Sequence, residues 1–436
     1  MSVPVSPSPV ANCPPGMAPP TLVRQLDSGL ALWTTAVEGM TEYWAGALER
    51  GATPLETMRD GARWLRALTD RRAPTWSTPH EVVLESPVAR LRDFSAGSRR
   101  RVVPTLVLPP QAGHDSCIVD YSERQSQIRT IRAAGLERVW SLDWVGATRQ
   151  TRDAGVEDYL DFLERSVELI GEPVNLVGDC QGGWLATIFA ALRPEQVRTL
   201  TIAGAPIDFH RGDAVIHDWV EQLSPREDLS FYRHVVALGN GVLRGEFMLN
   251  GFILIKPENE LSKQLQLLSH VHDPEHVERF RAFEDWFKHT QAIPGAFYLW
   301  IVEHLFRDNK LIAGELEIGG EQVDLSRIDC PLNLLGGATD HITPPDQVFA
   351  LADHASTAPD EVARRVSSGG HLGLFMGSEA LREHWPPLMA NVYARSQKSP
   401  RASARDNTAQ SRQRAAHSRQ RARRRTPTAK DPIPAP

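Results

Sequence analysis

The spacing of hydrophobic residues is helical near the N-terminus of this 436-residue chain. Apolar residues recur three or four positions apart, as they do on one face of a helix: Leu22, Leu26, Leu30, Trp33 and Val37. Proline is favoured in the first helical turn, so Pro54 predicts the start of a second helix, which ends near Leu68. We therefore expect a helical extension over residues 21–75.

The pattern then changes to short apolar runs that alternate with amphipathic stretches. The runs predict strands at Glu81–Glu85, Arg101–Leu108, Val139–Asp143, Val174–Val177 and Arg198–Ile202. The stretches predict helices at Tyr121–Ala134, Val156–Ile170 and Gly183–Leu192. Alternation of this kind predicts an α/β fold with a mostly parallel sheet and helices on both faces.

The alternation stops between residues 207 and 325, where helix formers and aromatic residues dominate. We interpret this segment as a helical cap inserted into the α/β domain. Strand patterns return at Pro331–Leu335 and Ala363–Val366, and a helix ending near Tyr393 closes the domain. The α/β domain is thus predicted to span residues 80–395, with the cap at 207–325.

The net charge of −6 is divided unevenly along the chain. Residues 396–436 contain eleven Lys or Arg against Asp406 and Asp431, a net of +9, so the remainder carries −15. Such a basic tail has little to bury and is predicted to be disordered, as are residues 1–20. The tail is suited to contact a polyanion, although a solvated tail without a dedicated partner is the more common case.

The four cysteines, Cys13, Cys117, Cys180 and Cys330, show none of the close spacings of a metal site. The first twenty residues lack the basic start and apolar core of a secretion signal. No apolar run is long enough to predict a membrane span. We therefore expect a cytoplasmic protein with reduced thiols and without a metal ion.

One cysteine lies in a glycine-rich turn between a predicted strand and a predicted helix. The sequence Gly178-Asp179-Cys180-Gln181-Gly182-Gly183 has the Gly-x-Cys-x-Gly form of a nucleophile elbow, with cysteine in the position where hydrolases usually carry serine. The Gln181 backbone N–H is then expected to face the developing oxyanion, and a second donor is expected near Pro110 to Ala112. The simpler alternative is a buried structural cysteine in a tight turn.

The partners that such a nucleophile requires follow later strands in the expected order. Asp340 comes after the strand at Pro331–Leu335, and His371 comes after the strand at Ala363–Val366. We predict that His371 acts as the general base and that Asp340 orients its ring. His341 is a competing base, but its position beside Asp340 favours a supporting role in the acid loop.

These motifs together resemble the polyhydroxyalkanoate synthase family, particularly its short, two-subunit class, within the α/β-hydrolase superfamily. The resemblance includes Leu142–Trp144 upstream of the cysteine box. It continues from the box through the cap and through the acid and histidine loops, in segments such as Ala205–Phe209, Asn309–Gly314, Asp340–Pro345 and Gly370–Gly373. It covers roughly residues 104–393. The helical N-terminus and the basic tail depart from that class.

The resemblance implies an acyltransferase that takes 3-hydroxyacyl groups from coenzyme A onto Cys180 and extends a polyester, with an aromatic-rich cap that excludes water. Coenzyme A would be a substrate carrier, and no separate cofactor is expected. Two alternatives stay open: an ester or thioester hydrolase such as an intracellular polyhydroxyalkanoate depolymerase, and a non-enzymatic granule protein. A second synthase subunit, a homodimer and association with polyester granules are all compatible with the resemblance. The sequence identifies no substrate-binding residues.

Overall fold

The computed structural model describes residues 21–98, 101–224, 228–255 and 257–397. The disorder predicted for residues 1–20, and for all but the first two residues of the tail, lies outside the described residues. The chain divides into two compact units. One contains the residues up to Ala73 together with Glu246–His289, and the other contains Pro74–Gly245 and the residues from Thr290 onward.

The larger unit is built around strands. Numbered in chain order, its strands are β1 (Glu81–Glu85), β2 (Ala89–Asp93), β3 (Thr105–Leu108), β4 (Val139–Trp144), β5 (Val174–Asp179), β6 (Val197–Ala203), β7 (Val242–Leu243), β8 (Ile293–Pro294), β9 (Glu317–Ile318), β10 (Glu321–Gln322), β11 (Leu332–Gly337) and β12 (Val362–Ser367). Of these, β7 pairs with β8 and β9 pairs with β10, each as a two-stranded ribbon.

The helices of the chain, in the same order, are α1 (Thr21–Glu49), α2 (Pro54–Thr69), α3 (Gln127–Ala133), α4 (Val156–Ile170), α5 (Gln181–Leu192), α6 (Val215–Leu223), α7 (Ser230–Leu238), α8 (Gly245–Ile255), α9 (Pro257–Ser269), α10 (Pro274–Phe287), α11 (Gly295–Trp300), α12 (Lys310–Ala313), α13 (Pro345–Phe349), α14 (Leu351–His354), α15 (Gly373–Met376) and α16 (Trp385–Ser396). Two π-helical turns, Ile301–Arg307 and Ala380–His384, continue α11 and precede α16.

The main sheet has eight strands in the order β1-β2-β4-β3-β5-β6-β11-β12. Strand β2 is antiparallel to both of its neighbours, β1 and β4, whereas β3, β4, β5, β6, β11 and β12 pair in parallel with one another. Every residue of β3, β4, β5 and β11 is buried, as expected for strands covered by helices on both faces. A strand–turn–helix unit at β5–α5 lies near the middle of this sheet. The predicted α/β-hydrolase fold class is confirmed.

Two local sequence interpretations were wrong. The helix predicted from Tyr121 begins only at Gln127, because the Ser126 hydroxyl caps its N-terminus by accepting from Arg129 N at 2.9 Å. Strand β2 was not predicted at all, because its arginines obscured the alternation of buried and less buried positions. One of them, Arg92, is held by an ion pair of 2.6 Å with Asp143 on the neighbouring strand β4.

The smaller unit is entirely helical in the described residues, and contains α1, α2, α9, α10 and most of α8. Its core includes Tyr43, Leu268 and Val271, with Trp64 packed against them. The Trp64 indole N–H donates to the carbonyl oxygen of Gln264 at 2.9 Å, which joins α2 to α9. The helices predicted for residues 21–75 are thus present.

The segment interpreted as a cap, residues 207–325, is divided between the two units. Residues 246–289 belong to the helical unit, whereas 207–245 and 290–325 belong to the sheet unit. Of the cap aromatics, Phe297 and Trp300 contact Trp184 of α5, with ring centroids 6.1 and 6.2 Å away. The sheet unit therefore has its own aromatic cluster beside the helix that follows Cys180.

Candidate active site

Cys180 occupies the sharp turn between β5 and α5. Its backbone has φ 50° and ψ −119°, a conformation that residues other than glycine rarely adopt. The turn is fixed on both sides, because Cys180 N donates to Ala203 O and Gly183 N donates to Cys180 O, each at 2.9 Å. Strain of this kind is found at functional sites where the surrounding structure enforces it.

The glycines of the motif are required by the close approach of neighbouring backbone. A Cβ atom at Gly182 would lie 2.1 Å from Leu108 O, and one at Gly178 would lie 2.6 Å from Gly182 O. A Cβ atom at Gly183 would meet the Ala205 side chain at 2.3 Å. The turn can therefore pack against β3 and against the segment that follows β6 only with glycine at these three positions.

This packing gives a direct prediction for Gly182→Ala. Because the atom in the way is a backbone carbonyl that cannot rotate aside, we expect the free energy of unfolding to fall by about 3 kcal/mol or more. The matched control is Gly61→Ala in α2, where a Cβ atom would meet nothing within 4 Å. That change should leave stability equal or raise it by up to about 1 kcal/mol. Denaturant titration of both variants measures the difference; equal midpoints would contradict the packing.

His371 and Asp340 form a buried pair at the ends of neighbouring strands. His371 Nδ1 lies 2.7 Å from Asp340 Oδ2, and both residues are less than a tenth exposed. The other carboxylate oxygen of Asp340 accepts from the backbone N–H groups of Ile342 and Thr343 at 2.9 Å each. The Asp340 carboxylate is therefore held in position by the backbone of its own loop, independently of the His371 imidazole.

The Cys180 side chain lies close enough to His371 for its charge to raise the pKa of that imidazole. Burial acts to lower the pKa of His371, but the charges of Asp340 and Cys180 outweigh it and hold that pKa well above the usual range. The arrangement therefore favours a protonated imidazole beside the sulfur. The Phe375 ring packs against His371 in a T-shaped arrangement, with the two ring centroids 5.3 Å apart.

A carboxylate outside the predicted site holds the loop that carries His371. Glu379 Oε1 accepts from Ser368 N at 2.9 Å and from Ser367 Oγ at 3.2 Å, and His384 Nε2 lies 3.1 Å from the same oxygen. Ser368 Oγ donates to the other oxygen. These bonds lower the pKa of Glu379 to about 2, the two from Ser368 contributing most. Sequence reasoning missed this residue, because its role depends on contacts that a linear motif does not show.

The remaining predicted residues lie where the chain order places them. Gln181 is the first residue of α5, so its N–H has no intrahelical acceptor. His341 directs Nδ1 toward Thr339 O at 3.4 Å, and its carbonyl accepts from Val215 N at 3.0 Å. Among the described residues no hydrogen bond joins His341 to Cys180 or His371.

The loop after β3 supplies one further polar group. Pro109 and Pro110 have no backbone N–H, so Gln111 is the first residue after this strand that can donate. The loop is fixed because Trp144 Nε1 donates to Pro109 O and Gln111 Nε2 donates to the Tyr159 hydroxyl, both at 2.8 Å. Of the residues Pro110 to Ala112, Pro110 is therefore excluded as the second oxyanion donor, and the backbone N–H groups of Gln111 and Ala112 remain as candidates.

No group of three or more His, Cys, Asp or Glu side chains in the described part of the chain is arranged to hold a metal ion. Within the same residues, no helix is both long and apolar enough to cross a membrane.

Comparison with known proteins places residues 88–394 within a family described as protein of unknown function, DUF3141. The chain is also similar to the poly(3-hydroxyalkanoate) polymerase subunit PhaC of Haloferax mediterranei, with 28% identity over 76% of this chain and 67% of that protein. The PhaC subunit of Allochromatium vinosum is 28% identical over 62% of this chain and 75% of its own length. The resemblance stated from the sequence motifs is therefore confirmed.

Among solved structures, the chain is similar to a monoacylglycerol lipase of Paleococcus ferrophilus. The TM-score is 0.42 and the identity 15%, over 68% of this chain and 97% of that one. The fold is defined by the strand order of the main sheet and by the β5–α5 turn.

Proposed function

The chain belongs to the DUF3141 family, and from the geometry around Cys180 we propose that it is an acyltransferase that polymerises 3-hydroxyacyl groups delivered as coenzyme A thioesters. The observation that carries the proposal is the strained Cys180 turn with the His371–Asp340 pair beside it. The similarity to poly(3-hydroxyalkanoate) polymerases favours coenzyme A thioesters as the acyl source.

In the first half-reaction, the Cys180 thiolate attacks the thioester carbon of the substrate. The backbone N–H groups of Gln181 and of either Gln111 or Ala112 are our candidates for stabilising the oxyanion. The carbon–sulfur bond to coenzyme A then breaks, and the leaving thiolate takes the proton of the His371 imidazolium. The acyl group remains activated as a thioester on Cys180.

In the second half-reaction, the neutral imidazole of His371 accepts the proton of the hydroxyl on the next 3-hydroxyacyl unit. That oxygen attacks the Cys180 thioester, an ester bond forms and the cysteine thiolate is restored beside a protonated His371. Asp340 stabilises the cation in both half-reactions. Water would divert the acyl group to hydrolysis, and the aromatic contacts of Trp184 with Phe297 and Trp300 support its exclusion.

The experiment that tests the proposal is incubation of the purified protein with 3-hydroxybutyryl-coenzyme A. We expect release of coenzyme A together with insoluble polymer, and no release above background from Cys180→Ala. Release of coenzyme A with an equal amount of free 3-hydroxy acid would instead identify a hydrolase and would refute polymerisation. Gas chromatography of the methanolysed pellet, beside a thiol assay of the supernatant, distinguishes the two products.

A further inference from the structure

Asp179 is a buried acid next to the candidate nucleophile that the reaction above does not use. It is the last residue of β5, and neither Asp179 nor Gln127, the first residue of α3, is exposed to solvent. A buried carboxylate is costly unless donors or a cation surround it. The number of hydrogen-bond donors around the Asp179 carboxyl group therefore indicates whether this group is ionised or neutral.

Those hydrogen bonds leave two oxygen atoms without a donor. Gln127 Nε2 donates to Asp179 Oδ1 at 3.2 Å. The second oxygen of each group, Asp179 Oδ2 and Gln127 Oε1, is buried and has no hydrogen-bond partner among the described residues. An ionised carboxylate and an amide oxygen can only accept, so they cannot satisfy each other. Exchanging the amide nitrogen and oxygen of Gln127 would not help, because two acceptors would then face each other.

One proton removes both deficits. A protonated Asp179 can donate its O–H to Gln127 Oε1 while it accepts from Gln127 Nε2, as in a paired acid and amide. Leaving two buried acceptors unpaired would cost more than keeping one proton on the acid. We propose that Asp179 is a neutral carboxylic acid in the folded protein and that, paired with Gln127, it positions the Cys180 turn without adding a negative charge to it.

The charges around Asp179 agree with this assignment. The adjacent strand segment of β3 and the whole of α5 contain no ionisable side chain, and the one charged residue of β6, Arg198, lies at the opposite end of its strand. On α3, Arg129 is bonded to Thr78 and Ser77, and Arg132 is in the last turn.

The remaining ionisable neighbours are Cys180 in the chain and His371 from the loop after β12. Burial raises the pKa of Asp179 to about 8, although the Gln127 amide and the His371 charge act in the opposite direction. At neutral pH the acid is therefore mostly protonated. In the proposed reaction, on which this point rests, both the Cys180 sulfur and the oxyanion carry negative charge. An ionised Asp179 would place a further negative charge beside them.

Infrared difference spectroscopy tests the protonation state without any substrate. Exposed carboxyl groups are ionised at pH 6.5, whereas a protonated Asp179 contributes a carbonyl stretch of a carboxylic acid. We expect this band in the difference between the native protein and Asp179→Asn, and we expect it to disappear from the native protein as the pH rises past about 8. Absence of the band at pH 6.5 would overturn the proposal, whatever the protein does to acyl groups.

The pH dependence of unfolding gives a second, independent measurement. The pKa of Asp179 in the folded protein, about 8, exceeds the value of about 3.9 for an unfolded chain, so between these values only the folded state retains the proton. Stability linked to this proton is complete below about pH 4 and is lost as the pH rises to about 8. The ratio of the unfolding constants of native protein and Asp179→Asn should thus rise about tenfold per pH unit in this window. A constant ratio would contradict the proposal.

A matched buried aspartate serves as the control. Asp120 is also fully buried, but it accepts from Thr78 N at 2.7 Å, from Thr78 Oγ1 at 2.8 Å and from Ser126 Oγ at 2.5 Å. An amide nitrogen cannot accept these bonds, so Asp120→Asn should lower stability at neutral pH. At Asp179 the asparagine amide can instead donate to Gln127 Oε1, as the acid does. Equal losses in the two variants at pH 7 would refute a neutral Asp179.

Discussion

Cys180→Ala should reduce the release of coenzyme A from 3-hydroxybutyryl-coenzyme A by at least about 10⁴-fold, because removal of a covalent nucleophile commonly costs this much or more. The substitution removes only the sulfur, so the turn and its hydrogen bonds to Ala203 and Gly183 should persist. Steady-state release measured with a thiol reagent gives the rate. Intact-protein mass spectrometry gives the mechanism, since only the native protein should gain the mass of an acyl group.

Cys330→Ala is the matched control for this prediction. Burial raises the pKa of the Cys330 thiol to about 12, so this cysteine is an inert thiol at neutral pH. Its replacement should leave both the release of coenzyme A and the acyl adduct unchanged within about twofold. An adduct that survives in Cys180→Ala but is lost in Cys330→Ala would place the nucleophile at Cys330, just before β11, and would refute the proposed site.

The parts of the fold that could be predicted are those that depend on residues close together in the sequence. The buried strands read as apolar runs, and the strand, glycine turn and helix around Cys180 could be recognised together because backbone packing demands small residues there. The positions of Asp340 and His371 followed from chain order, since each comes after a parallel strand and such ends share one edge of the sheet. Their roles stay predictions.

The features that escaped prediction depend on contacts between distant parts of the chain. Glu379 lies beyond the histidine motif, and only folding brings its carboxylate against Ser367 and Ser368. Asp179 was visible inside the motif, but its lack of donors could not be known before Gln127, 52 positions earlier, was placed beside it. One signal was available in the sequence: a lone acid at the end of an apolar strand is uncommon and merits attention.

The distribution of the aromatic cap between two units was likewise hidden. Residues 207–325 have one uniform composition, yet Phe252, Trp286 and Phe287 belong to the helical unit whereas Phe297 and Trp300 belong to the sheet unit. The composition of a segment indicates that it can form buried helices, but it does not specify which other parts of the chain pack against it.

His371→Ala should lower kcat/KM for the same substrate by about 10³-fold or more, since both proton transfers of the proposed reaction pass through this imidazole. It also leaves Asp340 buried without its 2.7 Å partner, so the variant should be checked by circular dichroism before its rate is interpreted. Retention of more than a few per cent of the activity by a folded His371→Ala would remove the general base from the site.

His341→Ala tests whether the general-base role belongs to His371 and not to another nearby histidine. His341 lies next to Asp340 in sequence, but its ring is turned toward Thr339 O. Its backbone, which alanine retains, makes the contact with Val215. We expect kcat/KM to fall by less than about tenfold, because only a weak, partly exposed hydrogen bond is lost. The losses of kcat/KM in His371→Ala and His341→Ala should therefore differ by at least about two orders of magnitude. A comparable loss in both variants would mean that the acid loop, and not the His371 ring, limits the reaction.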